Sequence, residues 1–438
     1  MNLARSSFYL TATNIGLVGL TALNFFFLTA TLSPKQLGIL SILLTISALG
    51  LNLLSAGYNK AAIYYVGRKT FALETVITNG LIICFLLGIL LGGALIGFGS
   101  YLGLLFPDIP VKLLYLAVMS TPIQIFLYYL AESCLAAELL AVSISIRVIP
   151  PVVYVLGCVL AAAWGILSAD SAFVVYVLGM FLADLLGLGL VVFKSKSHHL
   201  FKPNLPAAKS CLSFGRKALV GELAHFLAVR LDLILVGLWA GMEASGYYSV
   251  AARLAETIWL VAYSAQQALA AKVAQGFADS LNIKAIRLER TVRYMATGSF
   301  LVGLGVISVS FVVFKFLLVT YEPTFYLLLA LTPGQVALAI FLLLIANLIG
   351  DGHPMLATKL RVALFTLSLI CYLTLIPMMG ALGAGLATSI AYTISTVIAA
   401  VMLGKMYQIK LSDFFVWKKE DREIIRALLN SRNIVRPY

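Results

Sequence analysis

The chain is a succession of uninterrupted apolar runs, most of them about 20 residues or longer, separated by short polar joints. That is the length an α-helix needs to cross the roughly 30 Å hydrocarbon core of a bilayer. A soluble fold could not hide so many such runs. Of the 438 residues, 61% are hydrophobic and only 11% charged, against roughly 45–50% and about 25% in an average soluble domain. In lipid the chain must satisfy its own backbone polar groups, which leaves helices or closed barrels. A barrel would show alternating strands of roughly ten residues, whereas these runs are continuous. The expected fold is all-α and polytopic.

Twelve spans are expected. The first six cover about 8–31, 37–58, 79–105, 111–136, 145–167 and 171–193; the second six cover about 213–240, 246–271, 292–320, 324–349, 360–378 and 382–404. With the N-terminus cytoplasmic, 25 of the 31 Lys and Arg residues fall on the cytoplasmic side and only Lys35, Lys112 and Lys315 outside. That asymmetry fits an even span count with both termini cytoplasmic. It also accounts for the net charge of +13 through contact with anionic lipid, with no nucleic-acid partner.

The two sets of six spans resemble two copies of one plan. Setting Gly38 on Gly246 puts Ser41 on Ser249, Asn14 on Glu222 and Asn24 on Asp232. Two six-helix bundles around a central cavity, residues 1–193 and 213–404, are therefore expected, joined by a basic cytoplasmic linker at 194–212. The stretch 405–438 reads as a cytoplasmic tail, with Ile424, Ile425, Leu428 and Leu429 on one stripe of an amphipathic helix. The five cysteines show no CxxC spacing and read as packing residues. The first run lacks an A-x-A exit and reads as a true span rather than a cleaved signal. No P-loop, HExxH or zinc-type spacing occurs, so an enzyme and a bound cofactor are not expected. A membrane glycosyltransferase would need a sizeable acidic loop, and the longest loop is about 20 residues and basic.

Three stretches carry a family resemblance. Asn14 to Arg68 contains the Ser33-Pro34-Lys35-Gln36-Leu37-Gly38 joint. Phe214 to Gln275 contains Arg230-Leu231-Asp232-Leu233 and Gly246-Tyr247-Tyr248-Ser249. Gly352-His353-Pro354 is followed by Ile376-Pro377-Met378-Met379-Gly380. In this order the chain resembles the polysaccharide transporter family, the Wzx-type O-antigen flippases of the MOP exporter superfamily. The resemblance implies a MATE-like pair of six-helix bundles, alternating access and a cationic cavity in a bacterial-type plasma membrane. It further implies an undecaprenyl-pyrophosphate-linked oligosaccharide as substrate, with glycan polymerase and glycosyltransferases of the same pathway as partners. A MATE-like exporter of cationic drugs and a lipid II flippase are the alternatives. The first would favour an acidic cavity, and the second usually carries two more spans.

Ionisable residues inside the spans cost at least about 2.5–3.5 kcal/mol each on insertion scales and need a partner, water or a task. Arg230 and Arg253, with Lys60 nearer the cytoplasm, are the candidates for holding the pyrophosphate, since a guanidinium fork gives bidentate hydrogen bonds to phosphate. Arg253 could instead pair with Glu256, and Lys60 could snorkel. Glu222, His225 and Asp232 are candidates for H+ or Na+ coupling, or for a polar network that locks their helix to its neighbours. Glu132 and Asp184 are cavity residues or, the reading preferred, interhelical polar contacts.

Overall fold

The computed structural model describes residues 3–55, 57–195, 203–275, 280–414, 416, 417 and 421. Among them the regular structure is entirely helical: α1 (Leu3–Thr31), α2 (Pro34–Leu54), α3 (Tyr58–Gly67), α4 (Leu73–Leu105), α5 (Val111–Ala136), α6 (Leu140–Ala163), α7 (Ala169–Ser195), α8 (Leu205–Ala240), α9 (Met242–Gln275), α10 (Leu281–Val312), α11 (Pro323–Gly350) and α12 (Pro354–Tyr407). Nine of these are long and apolar enough to cross a membrane. All twelve expected spans fall on helices, because α12 houses two of them and α1 and α9 carry the other two.

The doubling of α12 follows from one residue. Gly380 has φ 58° and ψ −137°, outside helical space. Tyr372 and Thr388, 16 positions apart, bring their hydroxyl oxygens to 3.2 Å. In a straight helix they would stand about 24 Å apart. The chain therefore folds back at Gly380, three residues after Pro377, and the two expected spans run antiparallel.

The chain divides into two compact units, Met1–Ser249 and Val250–Tyr438. In the first, α5 is central. It packs against α2, α3, α4, α6 and α7 and buries Ile125, Phe126, Tyr129, Leu130 and Cys134 in the main core. Small residues let the helices approach: Gly179 on α7 lies against the Pro150 backbone of α6, where a Cβ would stand 3.0 Å from the carbonyl oxygen. Asn79 on α4 makes two hydrogen bonds with the backbone of Asn204, at 2.8 and 2.9 Å, and Asn204 in turn caps α8 through Ala207 N–H. With Pro206 behind that cap, α8 opens at Leu205, inside the segment expected to be linker.

In the second unit α11 is central and packs on α10 and α12. Pro333 interrupts its backbone ladder, and a side chain repairs it. The Gly334 N–H donates to Ser389 Oγ (3.0 Å), whose hydroxyl donates to the Ala330 carbonyl. Inserted hydroxyls of this kind make proline tolerable in a membrane helix. Charge collects at the end of this unit where α10 begins. Lys284 Nζ meets Asp351 Oδ1 at 2.6 Å, and Tyr407 donates to Asp351 Oδ2 at 2.7 Å, which ties three helices together. Arg293, 3% exposed, meets Asp421, 1% exposed, at 3.0 Å. Tyr294 donates to the same carboxylate, and Trp417 Nε1 donates to Thr297. Residues 411–414, 417 and 421 thus lie against α10. The expected amphipathic stripe, 424–429, lies outside the described residues.

Candidate functional site

The second expected span stops short of its predicted end. The Ser55 N–H closes α2 on the Leu51 carbonyl, and Gly57 takes φ +67°, a left-handed conformation that costs an L-residue about 1–2 kcal/mol. The chain restarts at Tyr58 as the ten-residue helix α3, which the sequence reading missed. Its visible signal was Gly57 within an apolar run, a helix-breaking residue. α3 packs on α5 and α8. Tyr58, Ala61, Ala62 and Val66 form its buried face, and Lys60 lies on the other.

There Lys60 Nζ stands 3.2 Å from Glu222 Oε1 on α8, and both side chains remain 47% exposed. A cation assigned to phosphate and a carboxylate assigned to coupling are thus one ion pair. His225, half-buried, lies one turn along α8 from Glu222, and Arg230, also half-buried, lies about two turns along.

Asp232 differs from these. It is 5% exposed, and its two oxygens accept hydrogen bonds from Tyr248 Oη (2.6 Å) and the Leu233 N–H (2.7 Å). The Tyr248 bond ties α8 to the first turns of α9. Tyr248 is fully buried, and sequence alone gave no reason to pair it with Asp232. Arg253 lies on α9 in the second unit and is exposed, with half-buried Glu256 one turn on. The first unit therefore holds Lys60, Glu222, His225, Arg230 and Asp232, and the second holds Arg253.

Glu132 makes the interhelical contact expected of it, meeting Arg147 at 2.8 Å across the α5–α6 turn. Asp184 is 7% exposed, and its Oδ1 has no hydrogen-bond partner among the described residues. A further polar network escaped the sequence reading. Ser47 and Ser120 hydroxyls lie 2.7 Å apart, Gln124 Nε2 donates to Tyr176 Oη at 2.7 Å, and Tyr176 packs on Phe173 and Tyr154.

Helical throughout the described residues, with many spans and charges held on α3 and α8, the chain is a polytopic α-helical membrane protein. Solved structures with the same fold are an inward-facing multidrug resistance MATE family transporter of the MOP superfamily (TM-score 0.68, 14% identity, 91% of this chain and 94% of that one) and the lipid II flippase MurJ in an inward closed conformation (0.59, 14%, 91% and 93%). A MOP superfamily transporter from Pyrococcus furiosus is a third (0.56, 14%, 92% and 94%). No curated protein matches. Residues 3–270 match the family described as polysaccharide biosynthesis protein, and the chain belongs to that family.

Proposed function

We propose that this protein is a flippase that carries undecaprenyl-pyrophosphate-linked oligosaccharide units across a bacterial-type plasma membrane for cell-surface polysaccharide assembly. Family membership supports the pathway, and the MOP fold supports transport by alternating access of two six-helix bundles rather than catalysis. The observation that carries the reading is the Lys60–Glu222 pair, left half exposed between apolar helices. Facing acyl chains, such charges would cost several kcal/mol; facing water, they are available to an anionic headgroup. Arg230 adds a guanidinium on the same helix as Glu222.

In this reading a pyrophosphate displaces Glu222 from Lys60. Glu222, freed of its cation and flanked by His225, then takes up the coupling proton or sodium ion. Asp232, engaged by Tyr248, anchors α8 to α9. The test is export of a lipid-linked glycan by Lys60→Gln and Arg230→Ala variants that insert normally. Export should fall at least about tenfold, the equivalent of about 1.4 kcal/mol of lost phosphate contact. Full export by both variants would remove the phosphate role. Retained resistance to cationic drugs, lost in Glu222→Gln, would favour a drug exporter instead.

A further inference from the structure

The last span, at the C-terminal end of α12, finishes in a strained reversal. Gln408 takes φ 58° and ψ 38°, the left-handed region, which an L side chain enters only at a cost. Its N–H closes on the Gly404 carbonyl, and the Ile409 N–H returns to the same oxygen at 2.8 Å. Glycine usually makes a wrapped helix end of this kind. Gly404 permits it from the other side, because a Cβ there would stand 2.8 Å from the Ile409 carbonyl oxygen. The chain then enters a short 3-10 turn, Leu411–Phe414, and the Phe414 side chain is fully buried.

This elbow brings two lysines to one place. Lys405, from the last turn of α12, and Lys410, from beyond the reversal, line one open concavity of about 270 Å³ together with Val401, Gln408 and Leu411. Lys405, Gln408 and Lys410 are all exposed. Among the described residues neither lysine makes an ion pair. A strained backbone that gathers two like charges lowers its energy when an anion lies between them.

The helix face leading up to the lysines is apolar. Ile390, Ile394, Val397 and Val401 are 39–46% exposed. Their spacings of four, three and four place them on one stripe of the helix, which ends at Lys405. At 1.5 Å per residue the stripe from Ile390 to Val401 is about 16 Å long, close to one leaflet of a roughly 30 Å hydrocarbon core. The Lys and Arg placement puts the lysine end on the cytoplasmic side, where anionic lipid gathers. An apolar stripe one leaflet long, capped by two cations, has the dimensions and the charge order that complement a phospholipid.

We propose that the elbow from Lys405 to Lys410 binds an anionic phospholipid of the surrounding bilayer, its phosphate held by the two ammonium groups and the Gln408 amide and its acyl chains laid along the stripe from Ile390 to Val401. The rest of the chain does not supply the occupant, because 422–438 carries four Arg against one Glu and brings no countercharge. A free phosphate would leave the Val401 and Leu411 walls unused, whereas a lipid fills them. Beyond the elbow, Trp417 and Asp421 are fastened to α10, so the bound lipid braces the junction between α12 and that segment. The site is independent of the cargo carried.

The experiment uses the full chain, purified in dodecyl maltoside, titrated with dioleoylphosphatidylglycerol or dioleoylphosphatidylcholine, with bound lipid counted by native mass spectrometry. Phosphatidylglycerol should bind at least about tenfold more tightly than phosphatidylcholine. Lys405→Gln and Lys410→Gln should each weaken phosphatidylglycerol binding about fivefold, the equivalent of roughly 1 kcal/mol per lysine, and leave phosphatidylcholine binding unchanged. Lys359→Gln is the control, an exposed lysine of the same helix outside the elbow, and should move neither. Equal affinity for the two lipids would overturn the site, as would phosphatidylglycerol binding unmoved by both elbow variants or weakened as much by Lys359→Gln. Inorganic pyrophosphate at the same concentration should not displace the lipid; displacement would make the elbow a free-anion site. Tighter binding of undecaprenyl diphosphate through the same lysines would make it a cargo station, and either result overturns the resident lipid. Should neither elbow variant fold, the preference of the unaltered chain between the two lipids still decides. No export is measured here, so failure leaves the flippase reading standing, and a failed export assay leaves the lipid site standing.

Discussion

Two ion pairs in this protein look alike on paper and differ in kind. Lys60–Glu222 joins α3 to α8 in the first unit, at 3.2 Å, with both side chains 47% exposed. Arg293–Asp421 joins α10 to the tail in the second unit, at 3.0 Å, with the side chains 3% and 1% exposed. The buried pair is surrounded by further bonds: Arg293 also donates to the Asp413 carbonyl, Arg290 approaches Asp421 at 3.4 Å, and Tyr294 donates to it. A desolvated pair held among such contacts is a structural fastening, because removing either partner strands a charge. A half-exposed pair adds little to stability and leaves its charges available. Exposure, rather than separation, distinguishes a fastening from a working site.

That contrast can be broken by mutation. Asp421→Asn should destabilise the protein by about 3–5 kcal/mol, because Arg293 is left buried beside a neutral group; thermal unfolding of the purified protein would show a fall of several degrees. Lys60→Gln in the same assay should stay within about 1 kcal/mol. Equal losses for the two variants would end the distinction.

Asp232 and Tyr248 supply an intermediate case within the first unit. Tyr248→Phe removes a hydrogen bond to a buried carboxylate and should cost about 1.5–3 kcal/mol, measured by the same unfolding. If Asp232 were a transporting group instead of an anchor, Tyr248→Phe would change the ion dependence of export and leave stability nearly untouched.

The smallest effect concerns Asp351, in the turn between α11 and α12. Burial pushes its carboxyl upward, but hydrogen bonds from Lys284 and Tyr407 and the Lys284 charge outweigh burial and hold it below the ordinary carboxylate range. A depressed acid contributes stability that is fully present above the unfolded value, about 3.9, and is lost as pH falls through the lower folded value. Unfolding followed from pH 6 downward should therefore show an acid-side loss below about pH 4 that Asp351→Asn reduces.

How much of this was legible beforehand varies with the kind of feature. The spans were readable because lipid demands long apolar helices and leaves little else. The break at Gly57 was visible as a glycine, but an isolated glycine does not announce a new helix. The pairing of Lys60 with Glu222 depends on two elements 162 positions apart, and no local pattern encodes it. The match of Gly38 to Gly246 was an alignment of repeats; that a Cβ on either would collide with the backbone of the other's helix is a fact of assembly.

Sequence alone determined that this chain lives in a membrane, how many times it can cross, and which few residues are charged where charge is costly. It could not say which faces meet lipid and which meet protein. In the apolar window of α4 only 11% of residues are buried, against 72% in α11, although both read as uniformly apolar. The reason is physical: in water the solvent sorts polar from apolar faces, so burial is written in the pattern, whereas lipid is as apolar as a protein core and leaves no such mark. Tertiary packing alone decided which helix became a core, which ion pair stayed exposed, and which glycines met.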